Sequence, residues 1–277
     1  MKRFLQLAFV AALATPTFAT DLMITTAKHT DATEMMGQKT PAMDSTQITW
    51  MGKDRMRTEE GSTVTIVRND LKKMFFLDTD AKTYSFVDLP FDMKKHMPPE
   101  MAPMIEMQTS QMNMTVVATT ETKKIKDWTA TKYVMTMAMP MMTMTTDVWT
   151  TKDVKLDYTS FAAVQGSMMS MMPGSEKFAA EFKKLEGYPV LREVTVSIMG
   201  MDAKSKEEVT AVESKEAPEG TYDVPKDFTE RPFDMMNDSP NSGMGGGRPR
   251  GGARPGGKPK GEKPAERPKV PPAPEPK

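Results

Sequence analysis

The feature that most constrains the fold is a run of alternating apolar and polar residues from Ser62 to Leu89. Alternation with a period of two places successive side chains on opposite faces of a β-strand. Two polar segments interrupt the run, Asn69-Asp70 and Asp78–Lys82. Asp and Asn favour turns because their side chains hydrogen-bond the local backbone. The run therefore predicts three antiparallel strands joined by tight turns.

Two other segments have helical character. Pro90–Gln111 is interrupted by three prolines, so it predicts only short helical pieces, because proline removes a backbone donor and clashes with the preceding turn. Pro173–Gly187 predicts one amphipathic helix, with Ser175 as its N-cap and Gly187 at its end. The apolar face of this helix is expected to carry Phe178, Phe182 and Leu185.

The order of these elements predicts the fold class. Many strands, a broken helical insert, more strands, one helix and a final hairpin are typical of an α+β fold that is mainly β. We expect a curved antiparallel sheet with helices on its concave face. The domain is expected to span residues 20–232. Residues 233–277 are rich in Gly, Pro, Lys and Arg, and they predict a disordered tail because they have little apolar surface to bury.

The first residues have the pattern of a secretory signal peptide, expected at residues 1–19. Lys2 and Arg3 precede an apolar stretch, Phe4–Ala14, and Thr17–Ala19 is a small-x-small cleavage site. The apolar stretch is too short to span a bilayer, which needs about 20 such residues. We expect a periplasmic or secreted protein, cleaved near Ala19, that does not span the membrane.

Composition excludes several kinds of chemistry. The chain has no cysteine, which removes thiol nucleophiles and zinc–thiolate clusters. Neither His29 nor His96 has a second metal ligand at helical spacing. The acidic pairs Glu59-Glu60 and Glu207-Glu208 are interpreted as turn or strand surface rather than as acid–base dyads. We therefore expect no enzyme activity and no cofactor.

The tail suggests a different kind of partner. From Met244 to Lys277 it carries nine Lys and Arg against three Asp and Glu. It lacks the aromatic residues that stack on nucleic-acid bases, so nucleic acid is not an expected partner. Anionic envelope polymers are the expected partner, through an attraction that weakens with salt.

Four segments of the chain resemble a family of bacterial secreted domains of unknown function. They read ITWMGKDRMRTEEG, VRNDLKKMFFLDTDAKTYSFVDL, IKDWTATKYVM with TDVWTTKDV, and EGYPVLREVTVSIMG with APEGTYDVPKDF. Together they span most of Asp21 to Phe228 and end in the phrase Tyr222–Phe228.

That family is itself similar to the periplasmic lipoprotein carriers and receptors LolA and LolB. The resemblance implies a half-open β-barrel wrapped around helices, with an apolar cavity between them and no catalytic residues. The Gly-Tyr-x-Cys motif usual in the family is here Asp127-Trp128-Thr129-Ala130. The missing cysteine means that any role it has elsewhere does not carry over.

The segment Tyr133–Trp149 contains six methionines. We expect a hairpin with Ala138–Met141 as a four-residue loop, which places Met137 opposite Met142 and Met135 opposite Met144. Tyr133 extends the same face. Opposed side chains have Cβ atoms about 5 Å apart, so the four thioethers would form one patch.

This patch has three interpretations. The first is the wall of an apolar cavity, since methionine is an adaptable gap-filler. The second is a Cu(I) or Ag(I) site, because thioethers prefer soft metals. Its ligands would be Met135, Met137, Met142 and Met144, with His96 and Met97 from the insert. The third is oxidant buffering through reversible sulfoxide formation.

The leading functional expectation is a non-enzymatic periplasmic binding protein that holds an acyl chain or a lipidated partner. Its Met-lined cavity would be covered by the predicted helix, with the proline-broken insert as a mobile lid. The ligand-binding residues would be Tyr133, Met135, Met137, Met142, Met144, Phe178, Phe182 and Leu185. A soft-metal or oxidant-buffering protein, and a structural envelope module tethered by its tail, are the alternatives.

Overall fold

The body of the molecule is one large antiparallel sheet that curves but does not close into a barrel. The computed structural model describes residues 21–35 and 38–238. The expected signal peptide and the part of the expected tail from residue 239 onward lie outside the described residues.

The first half of the sheet is a meander in which consecutive strands pair through tight turns. Strands β2 and β3 form a separate small hairpin inserted between β1 and β4. The predicted strands of the alternating run are confirmed as β6, β7 and β8. The bounds are β1 Leu22–Thr30, β2 Thr33–Met35, β3 Gln38–Thr40, β4 Met43–Met51, β5 Arg55–Glu60, β6 Thr63–Arg68, β7 Lys73–Asp78 and β8 Thr83–Asp88.

The second half is another meander, and it joins the first where its last long strand, Met201–Ser214, pairs with β1. Strand β9 forms one edge of the sheet, and a two-residue strand runs parallel to β8 at the other edge. The bounds are β9 Asn113–Ile125, β10 Trp128–Met139, β11 Met142–Thr151, β12 Tyr188–Ile198, β13 Met201–Ser214 and β14 Thr229–Glu230.

The helices lie in the connections, and the predicted class, mainly β with helices on the concave face, is confirmed. Pro90–Gln111 forms two single 3-10 turns and one short helix, as its prolines predict. In the described part of the chain no helix is long and apolar enough to cross a bilayer. The bounds are α1 Ala102–Gln111, α2 Tyr158–Met169, α3 Ser175–Phe182 and α4 Met235–Asp238.

The helices differ from expectation in their number and in the ends of α3. Helix α2 was not expected; the Asp157 carboxylate caps it by accepting from the backbone N–H groups of Thr159 and Ser160. Ser175 is the first residue of α3 rather than its N-cap. The N-cap is Gly174, which has a positive φ and makes no side-chain cap.

The main core lies between α2 and the concave face of the sheet, called here the inner face. Val164 of α2 is fully buried in one cluster that also contains Met51, Met56 and Met74 of the sheet. Burying such apolar surface is the main favourable term in folding. This core fixes α2 over the first meander.

The opposite, outer face is also covered, by residues 217–228, called here the strap. Tyr222 packs against Val64 and Ile66, and its hydroxyl donates to the Asp21 carboxylate over 3.0 Å. Arg68 donates to the backbone carbonyl of Tyr222 over 3.2 Å. The phrase Tyr222–Phe228, noted in the sequence, is therefore a packing element of the outer face.

Residues 231–238, called here the hook, correct the expected domain boundary. The Phe233 ring lies 5.5 Å from that of Phe76 on the inner face. Asp238 is 4% exposed and accepts hydrogen bonds from Arg231 over 2.6 Å and from Ser85 over 2.8 Å. The fold therefore continues to Asp238, beyond the boundary expected at residue 232, because the hook supplies apolar and ionic partners to β7 and β8.

The hook predicts a loss of stability in acid. Burial alone would raise the pKa of Asp238, but Arg231, the backbone of Asp234 and Ser85 together hold it below its usual value. A depressed pKa in the folded state stabilises the fold above the unfolded pKa, about 3.9, and this contribution is lost as pH falls through the folded pKa. Asp238→Asn should cost about 1–3 kcal/mol at pH 7 and less at pH 3. Urea unfolding at both pH values measures the difference, and a pH-independent difference would contradict the assignment.

Candidate functional site

The register of the central hairpin differs from the expected one by two residues. Met137 pairs with Met144, Met139 pairs with Met142, and Met135 lies opposite Thr146. The expected pairs of Met137 with Met142 and Met135 with Met144 were therefore wrong. The loop is a two-residue turn, so the strands continue to Met139 and Met142 and gain one more pair.

The shift leaves the faces unchanged, because the side-chain period of a strand is two residues. The expected thioethers still share one face with Tyr133, and Met139 joins them from the position expected to be loop. We call this set the methionine face. It comprises Tyr133, Met135, Met137, Met139, Met142 and Met144.

Helix α3 covers the methionine face directly. Phe178 is 2% exposed and packs in one cluster with Met112, Met114 and Met137. Phe182 lies at the margin of this cluster together with Met135, Met139 and Met144. The expected thioethers other than Met142 thus pack in one cluster with the aromatic rings of α3, which occupy the space where an open cavity was expected.

The segment after α3 extends this cover. Leu185 packs beside Val116, Tyr133 and Val148, in a small cluster next to the methionines. Tyr133 is 8% exposed. The apolar residues predicted for the helix therefore meet the methionine face, but Leu185 does so from the segment after α3, because the helix ends at Phe182 and not at Gly187 as expected.

Helix α3 has few fixed attachments. Among its residues, all of which are described, Phe178 alone is buried. Glycines with positive φ stand on both sides of it, Gly174 at +73° and Gly187 at +89°. Short helices held by few buried contacts open more readily than the core around them.

Two side chains of α3 make polar contacts with edge strand β9 and with the segment just before it. The Lys177 ammonium donates to the backbone carbonyl of Met112 over 2.8 Å. The Glu181 carboxylate accepts from the backbone N–H of Val116 in edge strand β9 over 2.7 Å. Hydrogen bonds from Lys184 and Val116 hold the pKa of Glu181 below its usual value. Glu181 is therefore charged at neutral pH and attaches α3 to β9. We call this contact between Glu181 and Val116 the latch.

The latch predicts a local effect on dynamics. Glu181→Ala removes the acceptor of the Val116 amide, so hydrogen exchange at Val116 should accelerate about fivefold. Glu176→Ala, in the first turn of the same helix, is the matched control. NMR-detected exchange measures both variants, and equal rates at Val116 would show that Glu181 does not hold α3.

The residues expected to complete a metal site are not brought to the methionine face. The His96 ring stacks 5.2 Å from Phe91 and meets Phe233 edge-on at 5.2 Å. Both partners border the main core rather than the methionine cluster. Met97 follows in the same segment. The six-ligand set with His96 and Met97 was therefore wrong, because His96 is engaged in aromatic stacking near the hook.

A cleft of about 160 Å³ lies beside α2 on the inner face, at the centre of the sheet. Its floor is apolar where Met51, Met56 and Val209 line it. Its neutral polar groups come from three threonines, two glutamines and Tyr188, and the charged side chains of Arg192 and Glu207 also line it. Burial raises the pKa of Tyr188 to about 12, so this hydroxyl is a neutral donor at physiological pH.

A row of alternating charges borders this cleft, and we call it the charge row: Glu60, Lys28, Glu207 and Arg192. The Lys28 ammonium lies 2.8 Å from Glu60 and 3.4 Å from Glu207, and Arg192 lies 3.3 Å from Glu207. Ser45 also donates to Glu60 over 2.6 Å. The row crosses five neighbouring strands, β5, β4, β1, β13 and β12.

The two central residues of the charge row, Lys28 and Glu207, keep their charges despite partial burial. Burial would lower the pKa of Lys28, but its hydrogen bonds and the charges of Glu60 and Glu207 raise it overall. Burial would raise the pKa of Glu207, but Arg192 and Lys28 lower it overall. Lys28 and Glu207 are therefore both charged at neutral pH, on the face of the sheet that otherwise forms the core.

Sequence reasoning missed this row. Glu60 and Glu207 were interpreted as strand surface, whereas both face inward. A usable signal exists, because Glu207 is two residues from Val209 and therefore shares its face. The partner Lys28 lies far away in sequence, and only the β1–β13 pairing brings the two together.

The fold and the site define an open-sheet domain whose concave face carries a covered thioether surface beside a row of charges. The family described as "Domain of unknown function (DUF4412)" matches residues 24–228. The chain belongs to this family. The comparison with curated proteins found no match.

Solved structures give weaker likenesses. A structure of PNGF-II is 14% identical with a TM-score of 0.37, over 80% of this chain and 33% of that chain. A DUF1329 family protein from Desulfovibrio piger ATCC 29098 is 6% identical with a TM-score of 0.24, over 74% of this chain and 90% of that chain. This chain thus spans about a third of the PNGF-II chain. At these scores neither structure informs the function.

Proposed function

We propose that this chain is a non-enzymatic binding protein of the bacterial periplasm that holds an acyl chain against the methionine face. The acyl chain belongs either to a free lipid or to a lipidated partner, as the expected likeness of the family to the lipoprotein carriers and receptors LolA and LolB suggests. The observation that carries the proposal is the thioether surface under α3, a helix with one buried side chain between two glycines of positive φ.

Replacing the α3 side chains by an acyl chain on the methionine face leaves a similar apolar area buried. In the ligand-free protein the Phe178 and Phe182 side chains keep the methionine face dry. When α3 moves away, an acyl chain takes its place on the methionine face, and the apolar surface that the acyl chain buries offsets the exposure of the two rings. Methionine suits such a wall because its unbranched, polarizable side chain adapts to different partners.

The absence of catalysis is part of the proposal. Among the described residues, no group of three or more His, Asp and Glu side chains is placed to hold a metal ion. His29 lies 2.7 Å from Asp44 and 3.2 Å from Asp31, on an exposed part of the sheet rather than in the cleft. This exposed arrangement is that of a surface ion pair between His29 and the two carboxylates, not of a catalytic histidine in a cleft.

Mass spectrometry tests the proposal directly. The full chain, purified from cell envelopes without detergent, should carry a co-purifying lipid in a near-stoichiometric amount. Glu181→Ala should exchange this lipid for an added fluorescent fatty acid faster than Glu176→Ala does. Consistently ligand-free protein that also fails to take up the fatty acid would overturn the proposal.

A soft-metal site is the second candidate, because Met137–Met144 and Met139–Met142 are adjacent opposed pairs. Anaerobic Cu(I) titration with a competing chelator separates the two functions. If the methionine face binds only apolar ligands, replacing Met135, Met137, Met142 and Met144 together by Leu leaves the Cu(I) affinity unchanged. Such volume-conserving changes should cost under about 1.5 kcal/mol each. A tenfold loss of affinity in a folded variant would favour the metal.

A further inference from the structure

We propose that the ligand is a single-chain zwitterionic amphiphile whose ammonium–phosphate head lies on the charge row while its acyl chain runs onto the methionine face. This inference rests on the proposed function, and it adds the chemical class of the ligand and its direction in the site. Three features of the molecule support it: a continuous surface from the charge row to the methionine face, charge complementarity to the head, and polar groups for the linkage between head and acyl chain.

The charge row and the methionine face are one continuous surface. Arg192 on β12 lies directly opposite Val148 on β11, which lies opposite Tyr133 on β10. Val148 is 2% exposed under the segment that follows α3. Neighbouring strands are about 4.8 Å apart, so Arg192 is roughly 10 Å from Tyr133.

The length of this path suits a long acyl chain. Met135 and Met137 follow Tyr133 on the same face of β10, and each step of two residues adds about 6.6 Å. A chain that starts at Arg192 and ends at Met137 therefore runs diagonally over roughly 17 Å. It lies under α3 for the last part of this path, where Phe178 and Phe182 lie now.

The signs along the charge row select the head group. Glu60, Lys28, Glu207 and Arg192 alternate negative and positive and sum to zero, and their side chains are 27–43% exposed. A lone carboxylate head would pair with Arg192 but meet the charge of Glu207 beside it. A zwitterion places its phosphate at Arg192 or Lys28 and its ammonium at Glu207 or Glu60, so both charges are paired.

The cleft supplies neutral hydrogen bonds beside the charges. Thr26, Gln47 and Gln165 line it together with the Tyr188 hydroxyl. Hydroxyl and amide groups both donate and accept, which suits the ester and hydroxyl oxygens of a glycerol linker. A purely apolar ligand would leave these groups and the charge row without a role.

The experiment compares probes that share one chain length. Myristoyl lysophosphatidylcholine, tetradecyl maltoside and tetradecanoate are each titrated below their micelle concentrations into the full chain, with intrinsic tryptophan fluorescence or calorimetry as the readout. Phosphocholine alone is the fourth probe. We expect the lysophospholipid to bind about tenfold more tightly than the other two amphiphiles, and phosphocholine to bind at least a thousandfold more weakly.

Two variants assign the preference to the charge row. Arg192→Gln should weaken the lysophospholipid about tenfold and leave tetradecyl maltoside unchanged, since the maltoside makes no ionic contact. Glu208→Gln is the matched control, because Glu208 neighbours Glu207 but faces outward, where it pairs with Lys206 over 2.8 Å. It should change neither affinity. If Arg192→Gln lowers the melting temperature, the swap Arg192→Glu with Glu207→Arg keeps an ion pair and should still reduce the preference.

The outcomes separate this inference from the proposed function. Equal affinities for the three amphiphiles, unchanged by Arg192→Gln and the swap, would overturn the head-group assignment and leave an acyl-chain carrier. Phosphocholine binding as tightly as the lysophospholipid would overturn the placement of the chain on the methionine face. Failure of every amphiphile to bind would overturn the proposed function itself.

Discussion

Replacing Gly187 by alanine is expected to destabilise the protein by about 2–4 kcal/mol and to lower its melting temperature by roughly 5–15 °C. Gly187 has a φ of +89°, in which an L-residue is strained. A Cβ there would also lie 2.5 Å from the backbone carbonyl oxygen of Thr151. This oxygen belongs to the backbone of β11, so it cannot move aside as a flexible side chain would.

Gly220→Ala separates these two causes. Gly220 has a similar φ of +79°, and a Cβ there meets no atom within 4 Å. This variant should show the conformational strain alone, about 1 kcal/mol. Thermal unfolding of both variants measures the difference. Equal losses would show that the approach to Thr151 is not a constraint on the end of the α3 segment.

Phe178→Ala is expected to cost about 3–5 kcal/mol, because it removes the one buried side chain of α3 and leaves a cavity among methionines. The same change should uncover the methionine face. Binding of an apolar dye should therefore rise as stability falls, which a cavity sealed inside a rigid core would not produce.

Met107→Ala is the control for this second effect. Met107 is 58% exposed on α1, so its removal should change stability by no more than about 0.5 kcal/mol. Denaturant titration measures the stability of both variants. Dye fluorescence is measured on both under native conditions. A destabilised Phe178→Ala protein with unchanged dye binding would argue that α3 is a fixed wall rather than a movable cover.

The features that sequence reasoning predicted correctly are those that depend on residues close to one another in the sequence. The alternation around Thr63–Arg68 defined β6, and the Asp and Asn turns set its length. The methionine face survived a wrong register for a similar reason. An error of two residues preserves the face of every side chain, whereas an error of one would have reversed it.

The features that sequence reasoning missed depend on distant residues. The hook looks like the start of a low-complexity tail until Phe233 meets Phe76 and Asp238 meets Ser85. The charge row looks like strand surface until Lys28 meets Glu207. No local pattern contains these contacts, because each joins segments more than 150 residues apart in sequence.

The β1–β13 pairing also sets the order in which the chain can finish folding. The first meander closes through local turns, but β1 receives its second neighbour only when residues 201–214 are made. Until then β1 is an open sheet edge with unpaired backbone groups, which can pair wrongly with other chains. Joining strands so distant in sequence is slow compared with forming a hairpin. Nascent chains that stop before β13 should therefore be the form of this protein that most needs a chaperone.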